Sequence, residues 1–177
     1  MLIRRAGAGD VAALRAIAAA AYQKYVPRIG RAPAPMTADY ARPVSDGQAW
    51  AAVADGQVVG YAILIAESGY LLLENVAVLP DAQGRGVGAR LLALTEDRAR
   101  ELGLGEVRLY TNEAMTENIA YYGRHGYTET HREEQHGFRR VFFRKPVALM
   151  AGRLSGAGWS PAPCATASPD CAPSTVR

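Results

Sequence analysis

Residues 75–88 read Asn-Val-Ala-Val-Leu-Pro-Asp-Ala-Gln-Gly-Arg-Gly-Val-Gly, and this stretch decides how the rest of the chain is interpreted. It joins an apolar run at 71–79, typical of a strand, to a helix whose apolar face begins at Val87. Glycines let a backbone approach a ligand closely, successive N–H groups can point at one spot, and a helix N-terminus carries partial positive charge. The stretch therefore predicts an anion site suited to a pyrophosphate.

The patterns around this stretch predict a mixed α/β domain. Residues 2–5 alternate weakly, as in a first strand, and apolar residues at helical spacing predict a helix over 11–21. Asp55-Gly56-Gln57 is a hairpin signal between two β-rich runs. The remaining predicted elements, in chain order, are strands at 49–54, 58–66 and 71–79, a helix at 87–102, a strand at 107–110, a helix at 116–124, and a hairpin of 127–133 with 138–144.

Two segments differ from this pattern. Residues 25–43 contain four prolines and predict a long loop with one short helix near 37–41. In residues 151–177, 17 of the 27 residues are Ala, Pro, Ser or Gly, so little large apolar material remains to offset the entropy of ordering. We expect an ordered domain over 1–147 and a low-complexity, disordered tail over 148–177.

Composition and charge limit the classes of function. The chain is 49% hydrophobic and 21% charged, as in soluble globular proteins. Its formal net charge of +3 is only weak support for a nucleic-acid or membrane partner, and we expect neither. No apolar stretch reaches the roughly 18 residues that span a bilayer, and Arg15 interrupts the Ala-rich start, which favours an amphipathic helix over a secretion signal. Cys164 and Cys171 lie in the tail and are too few for a structural zinc site. We expect a cytoplasmic protein without a metal.

Several kinds of glycine-rich turn between a strand and a helix are known. A Walker loop requires Gly-Lys-Ser/Thr at the helix start, whereas Gly88 is followed by Ala89-Arg90. A dinucleotide fingerprint fits Gly84, Gly86 and Ala89, but four residues separate the strand from the first glycine, and too little chain follows for a doubly wound sheet. A tight turn without a ligand is a further alternative.

A third phosphate-binding interpretation, an acyl-CoA loop, comes from a resemblance to a known family. Residues 75–80 followed by Gln83-x-x-Gly86-x-Gly88 are similar to the Gln/Arg-x-x-Gly-x-Gly/Ala signature of the GNAT superfamily of N-acetyltransferases. Residues 118–127 resemble its second signature, an Asn-bearing helix that ends in Tyr-x-x-x-Gly-Phe/Tyr. The resemblance covers about residues 1–147. It implies an α/β (α+β) fold with a mixed, mainly antiparallel central sheet flanked by helices, whose fourth and fifth strands, here 71–79 and 107–110, splay apart to admit pantetheine.

The resemblance implies acetyl-CoA as a co-substrate. Main-chain groups of Val76 and Val78 would pair with pantetheine, and one N–H there would polarise the thioester carbonyl. The family places its Asn seven residues before the Tyr, where this chain has Met115; Asn118 comes about one helical turn later and is expected to face pantetheine. The residues expected around the pyrophosphate are Gln83, Gly84, Arg85, Gly86, Val87 and Gly88.

Transfer of an acetyl group to an amine needs a neutral amine, a stabilised oxyanion and a proton for the departing thiolate. The family often takes that proton from a Tyr hydroxyl, and Tyr122 holds the matching place four residues before Gly126. The resemblance then assigns Tyr121 to the core. A packed helix aromatic without a catalytic role is the alternative for Tyr122.

Strand alternation predicts the position of a base. It places Glu74 on the same face as Val76 and Val78, so the carboxylate would lie near the thioester and accept a proton from the ammonium group of the acceptor. An acid exposed at the solvent face of a strand is the alternative, and many enzymes of this family use ordered water instead of a dedicated base.

The acceptor side is the least determined. Arg28, Arg31 and Tyr40 follow the first helix, where the family builds acceptor specificity, and an Arg pair there would favour an acceptor with a carboxylate; a solvated loop is the alternative. The chain is thus expected to be an N-acetyltransferase acting on a small-molecule or peptide amine by direct attack in a ternary complex, and the fold allows a homodimer. A non-catalytic acyl-CoA sensor or interaction domain on the same fold is the competing function.

Overall fold

The computed structural model describes residues 1–149. Its strands, in chain order, are β1 (Leu2–Arg5), β2 (Ala49–Ala54), β3 (Gln57–Glu67), β4 (Tyr70–Val78), β5 (Glu106–Asn112), β6 (Thr128–Gln135) and β7 (Phe138–Pro146). Its α-helices are α1 (Val11–Tyr22), α2 (Val26–Ile29), α3 (Ala41–Ser45), α4 (Val87–Glu101) and α5 (Thr116–Arg124). The strands and the longer helices agree with the sequence prediction to within two residues at nearly every end.

The strands form a seven-stranded sheet in the order β1-β2-β3-β4-β5-β7-β6. Neighbouring strands are antiparallel except β4 and β5, which are parallel and pair only over residues 71–73 with 107–109. This confirms the mixed, mainly antiparallel sheet and the separation of its two middle strands. The dinucleotide-binding interpretation is wrong for the described residues, because it needs a doubly wound parallel sheet.

A β-bulge explains why the two middle strands separate. Leu64 of β3 pairs with Leu73 of β4, whereas the preceding Ile63 pairs with Asn75, so Glu74 is an extra residue in β4. A bulge bends its strand and increases the local twist. The pairing of β4 with β5 ends at Leu73, directly before the bulge, so the strand leaves its neighbour there.

Two hydrophobic clusters pack on opposite faces of the sheet. Adjacent β3 residues alternate between them: Ala62 belongs to the first cluster, and Tyr61 and Ile63 belong to the second. The first cluster joins the sheet to α4 and α5 and the second joins it to α1, whose buried side chains are Leu14, Ile17 and Ala18. The apolar stripe predicted for residues 11–21 is therefore the face of α1 that packs on the sheet.

The predicted loop at 25–43 contains more helix than expected. Helices α2 and α3 lie near its two ends, and the single helix predicted near 37–41 is absent. Gly30, at φ 81°, ends α2 in the left-handed region that favours glycine. None of the helices within residues 1–149 is long and apolar enough to cross a membrane. The tail predicted over 148–177 lies outside the described residues, apart from its first two.

Candidate active site

The gap between β4 and β5 exposes backbone groups of β4. The Tyr22 hydroxyl donates to the carbonyl of Val76 (3.2 Å), and the Gln83 side-chain amide donates to the carbonyl of Val78 (3.0 Å). The neighbouring Leu79 N–H instead donates to Val59 of β3 (2.9 Å). Because the N–H and C=O of one strand residue point to the same edge, the N–H groups of Val76 and Val78 also face the gap.

The glycine-rich loop lies at one end of this gap. Gly84 and Gly86 have φ of 75° and 79°, and a Cβ placed on either would meet no atom within 4 Å. Gly86 is the N-cap of α4, so unpaired N–H groups of the first helical turn are directed towards open space. A Cβ on Gly88 would lie 2.7 Å from the Tyr121 hydroxyl oxygen, which explains a small residue there. The loop therefore presents backbone donors and open space to an anion.

A cleft of about 520 Å³ runs from this loop along β4 to α5. Most of the residues predicted to hold the cofactor line it, namely Val76, Val78, Gln83, Gly84, Gly86, Gly88 and Asn118. Two predicted residues do not line it. The Val87 side chain is buried in the first cluster, so only its backbone is available to a ligand, and Arg85 is exposed outside the lining.

A second cavity of about 120 Å³ lies on the other side of the gap. Its walls come mainly from β4, β5, the 29–38 loop and the final hairpin. The residues that line both the cleft and this cavity are Tyr22, Val76, Asn118 and Tyr122. The two spaces thus meet at one wall, and Tyr122 is part of it.

Tyr122 is only 6% exposed, and its ring packs against Phe143 and Tyr127. Within residues 1–149 the Tyr122 hydroxyl has no hydrogen-bond partner. Its oxygen is nevertheless accessible to solvent, because the one fully buried side-chain polar atom without a partner in these residues is the Tyr127 hydroxyl. The Tyr122 hydroxyl is therefore directed into the shared space. Burial raises its pKa well above the ordinary value for tyrosine, with smaller contributions from Tyr121 and Tyr25, so the phenol keeps its proton.

Tyr121, assigned to the core from the sequence, packs at its edge against the first cluster rather than among its buried members. Tyr121 is only half-buried and packs against Gly88 at the start of α4, with its ring 4.1 Å from that of His125. The more deeply buried of the two neighbours is Tyr122. Helix α5 contributes to the lining of both the cleft and the second cavity. The Tyr122 side chain, which is buried in the core, therefore also reaches the gap.

Glu74 does not share a face with Val76 and Val78, contrary to the expectation from strand alternation. Val76 and Val78 pack against the same cluster as Leu73. Simple alternation would place these even-numbered residues on the face opposite to the odd-numbered Leu73. The bulge at Glu74 resets the alternation, and the carboxylate lies in the second cavity near Tyr110. Glu74 is nevertheless close to the shared wall, because Val76 follows it by two residues.

The environment of Glu74 alters its acidity. Burial raises the pKa of its carboxyl group, while the charge of Arg140 and the Tyr110 hydroxyl partly offset that rise. A carboxylate with a raised pKa binds a proton more readily than an exposed one, which suits a general base.

Sequence analysis missed Tyr22, which joins a buried polar network. Its hydroxyl donates to Asn75 Oδ1 (3.1 Å) as well as to Val76, and Asn75 in turn donates to the Tyr40 hydroxyl (3.4 Å). The Tyr40 and Tyr61 hydroxyls lie 2.8 Å apart. Tyr22 is four residues beyond Ala18, which is buried on the packed face of α1. This helical spacing could have predicted that Tyr22 also faces the sheet.

Asn118 lies in the shared wall. Its Oδ1 accepts a hydrogen bond from Tyr25 (3.4 Å), and its Nδ2 donates to Thr111 Oγ1 (3.5 Å). These contacts fix its side chain between α5, β5 and the segment after α1. Met115, at the position of the family's Asn, is buried and lines only the second cavity.

The three residues predicted to line the acceptor pocket do not line it. Arg28 forms an ion pair with Glu117 (2.8 Å), and Arg31 donates to the carbonyl of His136 (2.6 Å). Tyr40 is fully buried in the second cluster. The arginine that does line the cavity is Arg140 of β7, because the pairing of β7 with β5 brings a residue distant in sequence to this wall.

The fold is that of a family of acetyltransferases. Residues 12–127 match the acetyltransferase (GNAT) family, and the chain belongs to it. The structure is similar to a PaiA N-acetyltransferase from Thermoplasma acidophilum crystallised with coenzyme A: the TM-score is 0.69 at 17% identity, over 82% of this chain and 98% of that one.

Two curated relatives share parts of the sequence. The chain is 40% identical over 76 residues to an IAA acetyltransferase of Azospirillum brasilense, covering 42% of this chain and 50% of the relative. It is 34% identical over 59 residues to an aminoalkylphosphonate N-acetyltransferase of Salmonella typhimurium, covering 33% and 38%. The matches thus span half or less of the length of these relatives.

Proposed function

We propose that the protein is an acetyl-CoA-dependent N-acetyltransferase that moves the acetyl group to a primary amine by direct attack in a ternary complex. The observation that carries the proposal is the wall shared by the cleft and the second cavity. A donor in the cleft and an acceptor in the cavity would meet beside Val76 and Tyr122. Holding two reactants in one geometry in this way can supply much of a rate enhancement.

Acetyl-CoA would bind along the cleft. The pyrophosphate would lie on the N–H groups around Gly84 and Gly86 at the start of α4. The pantetheine arm would take the place of the missing neighbour of β4, pairing with the gap-facing backbone of Val76 and Val78. Gln83, which bonds to the carbonyl of Val78, would position that edge, and the Asn118 amide would contact the arm from α5.

Three groups of this chain would then carry out the chemistry. Glu74 accepts a proton from the acceptor ammonium group, directly or through one water, and leaves a neutral amine. As the amine nitrogen bonds to the carbonyl carbon of the thioester, the Val76 N–H donates to the carbonyl oxygen, on which negative charge develops. As the C–S bond breaks, the Tyr122 hydroxyl donates its proton to the departing sulfur. The nitrogen that attacked still carries one proton more than the neutral amide needs, and this proton passes to the Tyr122 phenolate, directly or through water, so that the free thiol and the neutral amide are left.

The lining of the two spaces supports direct attack. A double-displacement mechanism needs a side-chain nucleophile that holds the acetyl group, most often Ser or Cys. Neither residue type lines the cleft or the cavity within residues 1–149. Initial-rate plots at several fixed acetyl-CoA concentrations should therefore intersect, whereas parallel lines would contradict a ternary complex.

The acceptor would be a small molecule or the end of a peptide. The names of the two curated relatives support a small-molecule acceptor, and so does a cavity of about 120 Å³. We also propose that residues 1–147 form the catalytic domain of a cytoplasmic protein.

The test combines binding with turnover. Calorimetry of the full chain with CoA should give a saturable heat, and acetyl-CoA with a pooled library of primary amines should release free thiol with one equivalent of N-acetyl product by mass spectrometry. Binding of CoA without thiol release from any amine would favour the non-catalytic sensor. Absence of CoA binding would contradict the whole proposal.

A further inference from the structure

Three side chains form a row across the floor of the second cavity. Leu73 pairs with Leu109, so the following residues, Glu74 of β4 and Tyr110 of β5, are close across the start of the gap. Arg140 of β7 pairs with Asn112, two residues beyond Tyr110, and reaches the row diagonally, with its guanidinium carbon 4.3 Å from the centre of the Tyr110 ring. One end of the row carries a carboxylate and the other a guanidinium group, and Tyr110 lies between them.

Arg140 is directed into the cavity and keeps most of its hydrogen-bonding capacity. The next residue, Val141, is buried in the first cluster, so Arg140 faces the opposite side of the sheet. Its Nη1 donates to Gln135 Oε1 (3.1 Å), and its guanidinium group also interacts with the Tyr110 hydroxyl, partly offsetting the raised pKa of that phenol. The ion pairs among the described residues do not include it. The remaining donors of its planar group are available to a carboxylate or phosphonate.

The rest of the cavity is largely apolar. Above the row of three side chains, the 29–38 segment and the tip of the hairpin contribute only hydrocarbon or aromatic side chains, namely Ile29, Pro33, Ala34, Pro35, Ala38 and Phe138. Arg140 is the one Arg or Lys among the described residues that line this cavity. Its charge acts on Glu74 without a direct ion pair between them, so a partly buried guanidinium group is left that favours an anionic partner. The same wall leaves room for a small hydrocarbon group.

We infer that the acceptor is a small zwitterionic primary amine with an apolar side chain, whose ammonium group lies at Glu74 and whose carboxylate or phosphonate lies on Arg140. The inference rests on the proposed function and specifies its acceptor. The amine would then face the shared wall at Val76, and the anion would be held on the far side of Tyr110. The N-terminus of a protein has no anion at this distance from its amine and would leave Arg140 unpaired.

Matched acceptors test this class with the full chain and acetyl-CoA. Leucine is compared with leucinamide and 3-methylbutylamine, which keep the hydrocarbon group but lack the anion, and with 1-amino-3-methylbutylphosphonate, which replaces the carboxylate. Methionine and phenylalanine, each with its amide and its decarboxylated amine, extend the comparison to other side chains. A peptide with an N-terminal leucine represents protein acceptors. We expect kcat/KM to be about 10–100-fold higher for the anionic member of at least one set, as for a charge-assisted hydrogen bond.

Arg140→Gln identifies the group responsible. It should raise KM for the anionic acceptor about 10–100-fold, while KM for acetyl-CoA stays within about twofold and the melting temperature within a few degrees. Because the charge of Arg140 also lowers the pKa of Glu74, the rates are compared at a pH at which Glu74 is ionised in both proteins, and there kcat/KM for the decarboxylated amine should stay within about twofold. Arg140→Lys should recover part of the loss, since it keeps the charge without the planar pair of donors. Arg139→Gln is the matched control: the preceding side chain on the same strand is 74% exposed and pairs with Glu113, and its loss should leave every acceptor unchanged.

The outcomes separate the acceptor class from the activity. Turnover of amides, decarboxylated amines or the peptide as fast as the anionic acceptors overturns the inference and leaves the proposed function intact. An equal effect of Arg140→Gln on all acceptors also overturns it, because the residue would then act through the fold. Thiol release from none of the amines, with CoA bound, refutes the proposed function itself.

Discussion

Tyr122→Phe removes a single oxygen atom from the wall that the two cavities share. The hydroxyl has no hydrogen-bond partner within residues 1–149, and the ring contacts with Phe143 and Tyr127 do not depend on it. We therefore expect the free energy of unfolding to change by less than about 1 kcal/mol. If the hydroxyl protonates the departing thiolate, kcat should fall about 10²–10⁴-fold, which is the range of general acid catalysis and corresponds to about 3–5 kcal/mol of activation free energy.

A matched control uses the same chemical change at the neighbouring ring of Tyr127, which lies just after α5. The Tyr127 hydroxyl is buried without a partner, and the Tyr127 ring lies 6.0 Å from that of Tyr122. Tyr127→Phe removes this unpaired group, so the free energy of unfolding should rise by about 1–3 kcal/mol, and the melting temperature by a few degrees. Its kcat should stay within about twofold of the parent protein.

The assay is thiol release at saturating acetyl-CoA and acceptor, together with CoA affinity by calorimetry and thermal unfolding of both variants. The expected pattern is a large fall in kcat for Tyr122→Phe alone, with CoA affinity unchanged. An unchanged kcat would show that the thiolate takes its proton from water, and our assignment would be wrong. A loss of CoA affinity would instead assign Tyr122 to cofactor binding.

Three further predictions concern the base, the loop and the tail. Burial raises the pKa of Glu74, so the activity of the parent protein should fall as the pH drops through that pKa and the carboxylate is protonated. Glu74→Gln should be slow near neutrality and recover as rising pH supplies neutral amine, and a pH–rate profile parallel to that of the parent would contradict a base at this position. Gly86→Glu should lower CoA affinity, measured by calorimetry, at least tenfold through charge and bulk at the pyrophosphate site. The control is Gly103→Glu at the far end of α4, where φ is also positive (69°) and the surroundings are equally open; it should show only the cost of backbone strain, and equal CoA affinity in the two variants would refute the site. Removal of residues 151–177, which are rich in Ala, Pro, Ser and Gly, should leave the melting temperature and CoA affinity nearly unchanged, and a large fall in melting temperature would show that the tail packs on the domain.

The sequence by itself determined the order of the elements and the family. Helical and alternating periodicities are local properties, so the strands, α1, α4 and α5 were predictable to within a few residues. The loop signature at 83–88 was equally local, because a strand, a glycine-rich turn and a helix start follow one another directly in the chain. The roles of Tyr122, Glu74 and Asn118 stay predictions, although all three line the cavities.

The tertiary structure decided which side chains face the acceptor. The bulge at Glu74 reversed the alternation of β4, because an extra residue depends on the register with β3 and leaves no mark in the hydrophobic pattern. The pairing of β7 with β5 brings Arg140 to the cavity. Arg28 and Arg31 adjoin or lie within the 29–38 segment that lines the cavity, but they are bound to Glu117 and to a hairpin carbonyl. Long-range pairing places these groups, and a single sequence carries no local record of it.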